Sequence, residues 1–108
     1  MTALELLEKV RELLSDRGKF CQGTLAVDVE GVAVDPLCPW ACQWCLGGAL
    51  ELLGKNSPVV TRAYRELTRS AWFLFHMDDF ESVNDRSYED MLACLDHVIA
   101  RRHAMTPP

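Results

Sequence analysis

Cys38, Cys42 and Cys45 form a Cys-x3-Cys-x2-Cys run. On a loop, three thiolates so spaced can hold a four-iron cluster and leave one iron open. A single helical face, advancing about 100° per residue, produces the same spacing, and small buried thiols pack as apolar groups. Read as a helix, the three cysteines share a face with Leu46, Ala49, Leu52 and Leu53. The structural reading is the simpler one, and no cofactor is expected.

Zinc is a second use for these thiols, with Cys42-x2-Cys45 joined to Cys94-x2-His97 in a four-ligand site. On a helix, however, Cys94 lies at the edge of the apolar stripe while His97 turns toward solvent. They do not aim at one metal with Cys42 and Cys45, so no metal ligand is assigned. Nucleophilic catalysis needs an exposed, low-pKa thiol beside a base. Cys45 with His76 is the pair that tertiary contact would have to create. A buried, inert Cys45 is the plainer expectation, and no catalytic residue is assigned.

Acidic and amide side chains gather at Asp78, Asp79, Glu81, Asn84, Asp85, Glu89 and Asp90. A calcium loop needs Asp or Asn at alternate positions and glycine at the sixth. Counting from Asp78 puts Phe80 third and Val83 sixth, and the pattern fails. Asn84-Asp85 reads instead as a turn whose side chains bond to backbone amides. Asn84 and Asp85 are kept as candidate binding residues because the family resemblance described below includes them, loops being common carriers of function. Trp40 and Trp44, one helical turn apart, complete that set. An open tryptophan face is a protein-binding hot spot or a self-association face; Trp44 reads as core and Trp40 is left undecided.

Positioning these residues falls to a single domain over 1–108, its last residues 105–108 a frayed end. An apolar fraction of 49% with 25% charged residues is that of an ordinary globular protein. The net charge of −5 argues against a nucleic-acid partner. No apolar run reaches the roughly twenty residues of a membrane span, and the N-terminus reads as an amphipathic helix rather than a signal peptide. Five cysteines without a secretory signal place the protein in a reducing cytoplasm.

Thr2-Ala3-Leu4-Glu5 has the form of a capping box, and Leu6, Leu7, Val10, Leu13 and Leu14 follow at helical spacing. Leu25, Val27 and Val29, then Val32 and Val34 beyond Glu30-Gly31, predict a β-hairpin. A central helix is expected over about 37–54, buried on both sides, with Gly47 and Gly48 allowing another backbone close. Ser57-Pro58 opens a third helix that pairs Arg62 with Glu66 and ends in a deeply buried Trp72-Phe73-Leu74-Phe75. His76 to Arg86 is expected as a loop. Ser87 caps a last helix carrying Met91, Leu92, Leu95, Val98 and Ile99 inward. The fold class is therefore α+β: four helices with one β-hairpin packed against them.

Trp44-Cys45-Leu46-Gly47-Gly48-Ala49-Leu50 together with Asn84-Asp85 resembles a bacterial and phage domain-of-unknown-function family, number 6197. The resemblance runs from about Phe20 to Arg102, with one departure: Val83 stands where the family has a Trp. It implies a small cytoplasmic accessory protein of a phage or mobile element, acting on a host protein, and no known activity. The leading expectation is a non-enzymatic interaction protein, with a protein partner or a homodimer of its own, no nucleic acid and no membrane. The rival is a Cys-dependent enzyme or metal-binding protein using the Cys38/Cys42/Cys45 face.

Overall fold

Thr2 opens the first helix as its sequence predicts. Its hydroxyl accepts from the Glu5 amide at 3.1 Å while the Glu5 carboxylate accepts from the Thr2 amide at 3.0 Å. The computed structural model describes residues 1–105. Helix α1 (Ala3–Leu14) is followed by a single 3₁₀ turn (Arg17–Lys19), then β1 (Ala26–Val27) and β2 (Gln43–Trp44). Helices α2 (Leu46–Gly54), α3 (Val59–Phe75), α4 (Phe80–Arg86) and α5 (Tyr88–Met105) complete the chain. Of the frayed end expected at 105–108, Met105 closes α5 and the remainder lies outside the described residues.

The α+β class holds, with five α-helices among the described residues rather than four. The additional one is α4, in the segment expected as a loop. Asp79, extended, caps it by accepting from the Ser82 amide at 2.8 Å. Phe80 and Val83, three apart, turn into the core.

The larger correction concerns the central helix. It begins at Leu46, not near residue 37, because the backbone before it is engaged elsewhere. The amides of Cys42 and Cys45 donate to the carbonyls of Val27 (2.9 Å) and Leu25 (3.1 Å). Gln43 and Trp44 thereby pair antiparallel with Val27 and Ala26. The expected hairpin partner, Val32–Val34, takes the other side of β1. There a bridge between Val27 and Ala33 is flanked by Asp28 N–H to Val32 O and Val34 N–H to Ala26 O. Gly31 turns that corner at φ 81°.

A core of Leu6, Leu7, Val10 and Leu14 from α1, Leu46, Ala49 and Leu50 from α2, and Leu67, Met91, Leu95 and Val98 from α3 and α5 is fully enclosed. Ser87 stands at the start of α5 as expected, its hydroxyl accepting from the Asp90 amide, whereas α3 has Pro58 as its N-cap without a side-chain bond and Ser57, one residue earlier, accepts from the Val59 amide. Two expectations for α3 fail. Glu66 pairs with Arg102 of α5, not with Arg62. Trp72 and Phe73 are 55% and 66% exposed rather than buried, since the inward stripe of buried residues consists of Ala63, Leu67, Ser70 and Ala71 and, among the described residues, nothing covers these two side chains. No helix among the described residues is long and apolar enough to cross a membrane.

Gly48 fixes how α2 enters this core. A Cβ there would overlap the Leu25 carbonyl, which is backbone and cannot swing away. Alanine normally gains about 1 kcal/mol over glycine inside a helix; the overlap should exceed that gain. Gly48→Ala is expected to cost about 2 kcal/mol net in urea unfolding, whereas an unchanged midpoint would mean that the Leu25 strand does not press on α2.

Candidate functional site

Helix α2 starts at Cys45, and two of its first amides, those of Leu46 and Gly48, are taken up by side chains. Cys45 is the N-cap, and its Sγ accepts from the Gly48 amide at 3.3 Å. The Leu46 amide donates to Asn84 Oδ1 at 2.8 Å. The Glu81 carboxyl lies against Gly47, where a Cβ would collide with Oε1, and its Oε2 accepts from the Cys45 thiol at 3.5 Å. Tyr64 of α3 brings its hydroxyl to the same spot and its ring edge onto Phe80.

Asn84 is fully buried and ties three segments together. Besides holding Leu46, its Nδ2 donates to the Cys21 carbonyl (3.3 Å) and to Asp85 Oδ1 (3.1 Å). Asp85 Oδ1 also accepts from the Gly23 amide at 3.0 Å, and Gln22 Nε2 donates to the Asn84 carbonyl. The two residues do bond backbone amides, as their sequence implied, but from a helix instead of a turn. Removing the Asn84 side chain strips the partner from a buried N–H.

The cysteines diverge. Cys45 is 1% exposed, Cys38 half-buried and Cys42 exposed, so they share no face and enclose no common centre. Cys94 is buried against the Leu67 carbonyl, and His97 bonds Ser70 at 2.8 Å. Among the described residues no three His, Cys, Asp or Glu side chains are grouped to hold a metal ion. His76 packs on Trp72, and the group beside Cys45 is Glu81 instead.

Burial pushes the Cys45 thiol up to about 12; the Gly48 amide pulls it down and Glu81 adds to the rise. Cys21 is pushed to about 11 and Tyr64 to about 12, again chiefly by burial. Glu81 is itself raised by burial, against the downward pull of the Cys45 thiol and the Gly47 amide. A thiol held protonated is a poor nucleophile. A cleft of about 430 Å³ between Arg17, Phe20, Arg86 and Tyr88 does not include Cys45.

The tryptophans separate as well. Trp44 is half-buried against the core and its Nε1 donates to the Pro36 carbonyl at 3.0 Å. Trp40 is 74% exposed. Glu81 was legible only as one of many acids; the sign that could have singled it out was Gly47, a glycine in a helix start where another group must come close.

A family model described as a family of unknown function (DUF6197) matches residues 1–101, from α1 through most of α5. The chain belongs to DUF6197. No curated protein and no solved structure matches it. The residues that carried the resemblance, Trp44 to Leu50 and Asn84-Asp85, are the two sides of the capped α2 start of this DUF6197 chain. Val83 is fully enclosed in the core.

Two outcomes test this geometry. Asn84→Ala should cost about 2–3 kcal/mol, the price of an unpaired buried N–H plus lost packing, measured by urea unfolding. Glu81 has a folded pKa above its unfolded value, so its favourable contribution is complete at acid pH and is lost as pH rises through the folded pKa. Glu81→Gln should therefore gain on the parent as pH rises from 4 to 8, tracked by melting temperature. A parent that gains on the variant over that range would show that the carboxylate is paired instead.

Proposed function

We propose that this DUF6197 chain is a small non-enzymatic interaction protein that binds another protein through the segment carrying Trp40. The observation that supports this most directly is the exposure of Trp40 on a backbone that is pinned on both sides. The Ala41 amide donates to the Cys38 carbonyl at 3.0 Å, Cys38 N–H to Asp35 O at 2.9 Å, and Cys42 N–H to Val27 O. An aromatic side chain held out on an ordered loop loses little entropy when it enters a partner's pocket, which is the character of a hot spot. Leu37, 47% exposed, Val32 and Val29 enlarge the apolar surface of the same segment.

Trp44, Asn84 and Asp85 serve that surface from behind. Trp44 anchors Pro36 beneath the loop, and the Asn84-Asp85 bonds hold the segment from Cys21 to Gly23 that leads into β1. The setting that suits five free thiols is a reducing cytoplasm. A host protein as target, the role implied for a phage or mobile-element accessory factor, is the specific form of this reading.

The rival, a Cys-dependent enzyme, draws on the meeting of Cys45 and Glu81. A buried thiol kept protonated, outside the cleft between Arg17 and Tyr88, supports it poorly. Trp40→Ala is expected to leave the melting temperature unchanged within about 0.5 kcal/mol of stability and to abolish capture of a specific protein from host lysate. Alkylation of native protein should reach Cys42 first and Cys45 only on unfolding. Rapid, selective labelling of Cys45 with capture unaffected by Trp40→Ala would instead favour the enzyme.

A further inference from the structure

Between Phe20 and Gly54 the chain carries four carboxylates, Asp28, Glu30, Asp35 and Glu51, and no lysine or arginine. This stretch therefore holds four of the five net negative charges. Three of the four stand in the segment that presents Trp40. Asp28 and Glu30 belong to the turn that projects from the end of β1, and Asp35 opens the loop that leads to Trp40. The bond from the Cys42 amide to the Val27 carbonyl brings the Trp40 turn to that same end of β1.

Two of these carboxylates are fixed by their own turns. Asp28 Oδ1 accepts from the amides of Glu30 (2.9 Å) and Val32 (3.0 Å), and Asp35 Oδ1 from the Leu37 amide at 2.8 Å. Among the described residues none of Asp28, Glu30 and Asp35 forms an ion pair. The basic residues that the 3₁₀ turn brings beside β2 are engaged on other surfaces. Arg17 pairs with Glu89 and lies over the Tyr88 ring, while Lys19 lines a cleft with Lys9, Glu12, Leu13 and Leu53. Apolar side chains alternate with the charges: Val29 and Val32 flank Glu30, and Leu37 and Trp40 follow Asp35, all four exposed.

We propose that the partner on this surface is a basic and apolar protein segment. Its arginines or lysines meet Asp28, Glu30 and Asp35 and lie over the Trp40 indole, and its apolar side chains cover Val29, Val32 and Leu37. The proposal rests on the Trp40 reading above and adds the chemistry of what Trp40 binds. An indole face attracts a cation as well as an apolar group, and unpaired carboxylates around it select the sign of what approaches. Nucleic acid and anionic lipid carry the wrong charge. A second copy laid on the same surface by a two-fold axis would set carboxylate against carboxylate.

The test is fluorescence anisotropy with the full chain and labelled synthetic peptides of equal length, in which arginine alternates with leucine, glutamate with leucine, or arginine with serine. The arginine–leucine peptide is expected to bind at least about 10-fold more tightly than either control and to lose affinity as salt is raised. A variant combining Asp28→Asn, Glu30→Gln and Asp35→Asn keeps the oxygens that accept the turn amides, so it should fold normally by circular dichroism. It should bind that peptide about 10-fold more weakly, the loss expected for three exposed ion pairs, and with a flatter salt dependence. Trp40→Ala should weaken binding as well. Three results overturn the proposal: an arginine–leucine peptide that does not exceed both controls, a neutralised variant that binds like the parent, or Trp40→Ala that does so. Loss of lysate capture in Trp40→Ala despite any of these leaves the Trp40 reading standing, whereas retained capture removes that reading and the proposal with it.

Discussion

The hydrogen bond from the Leu46 amide to Asn84 Oδ1 is the constraint on which the rest of the architecture depends. A helix leaves its first amides without intrahelical partners, and inside a protein each needs another acceptor. Helix α2 begins inside the protein, so water does not serve. The Gly48 amide is taken by the Cys45 sulfur and the Leu46 amide by Asn84 of α4, while Gly48 lets the Leu25 backbone, just before β1, lie directly across the helix. One buried turn therefore fixes the spacing of three elements: β1, α2 and α4.

This arrangement also explains the chemistry of the site. Cys45 sits in an N-cap position that serine or aspartate commonly occupies, and it is used there as a weak acceptor. The neighbouring Glu81 carboxyl is pressed against a helix start, whose partial positive charge offsets part of its burial. Thiol, carboxyl and phenol converge because they close a seam between helices. Their raised proton affinities have the same cause, desolvation, and do not require a catalytic role.

Much of the helical framework was legible in the sequence. The Thr2/Glu5 box, the inward stripes of α1 and α5, and the serine before α5 act where pattern and capping place them. What misled was coincidence of period: Cys38, Cys42 and Cys45 fit a helical face, yet Trp44 and Gln43 are claimed by strand pairing with β1. Helix α4 escaped notice because seven residues hold only two inward apolar positions, Phe80 and Val83, among several acids. The glycine pair did announce a close approach, but the identity of what approaches, Leu25 and Glu81, is tertiary information. Exposure of Trp72 and Phe73 was hidden for the same reason, since hydrophobicity does not say whether a neighbour exists to cover it.

The Asn84 clasp has a bearing on the order of folding. Its bonds join residues 38 and 63 positions apart, and Gly23 meets Asp85 across 62. Ring closure over such spans must precede any return from the contact. The capped opening turn of α2 is thus complete only when α4 is in place, while α1 can form its capped end locally.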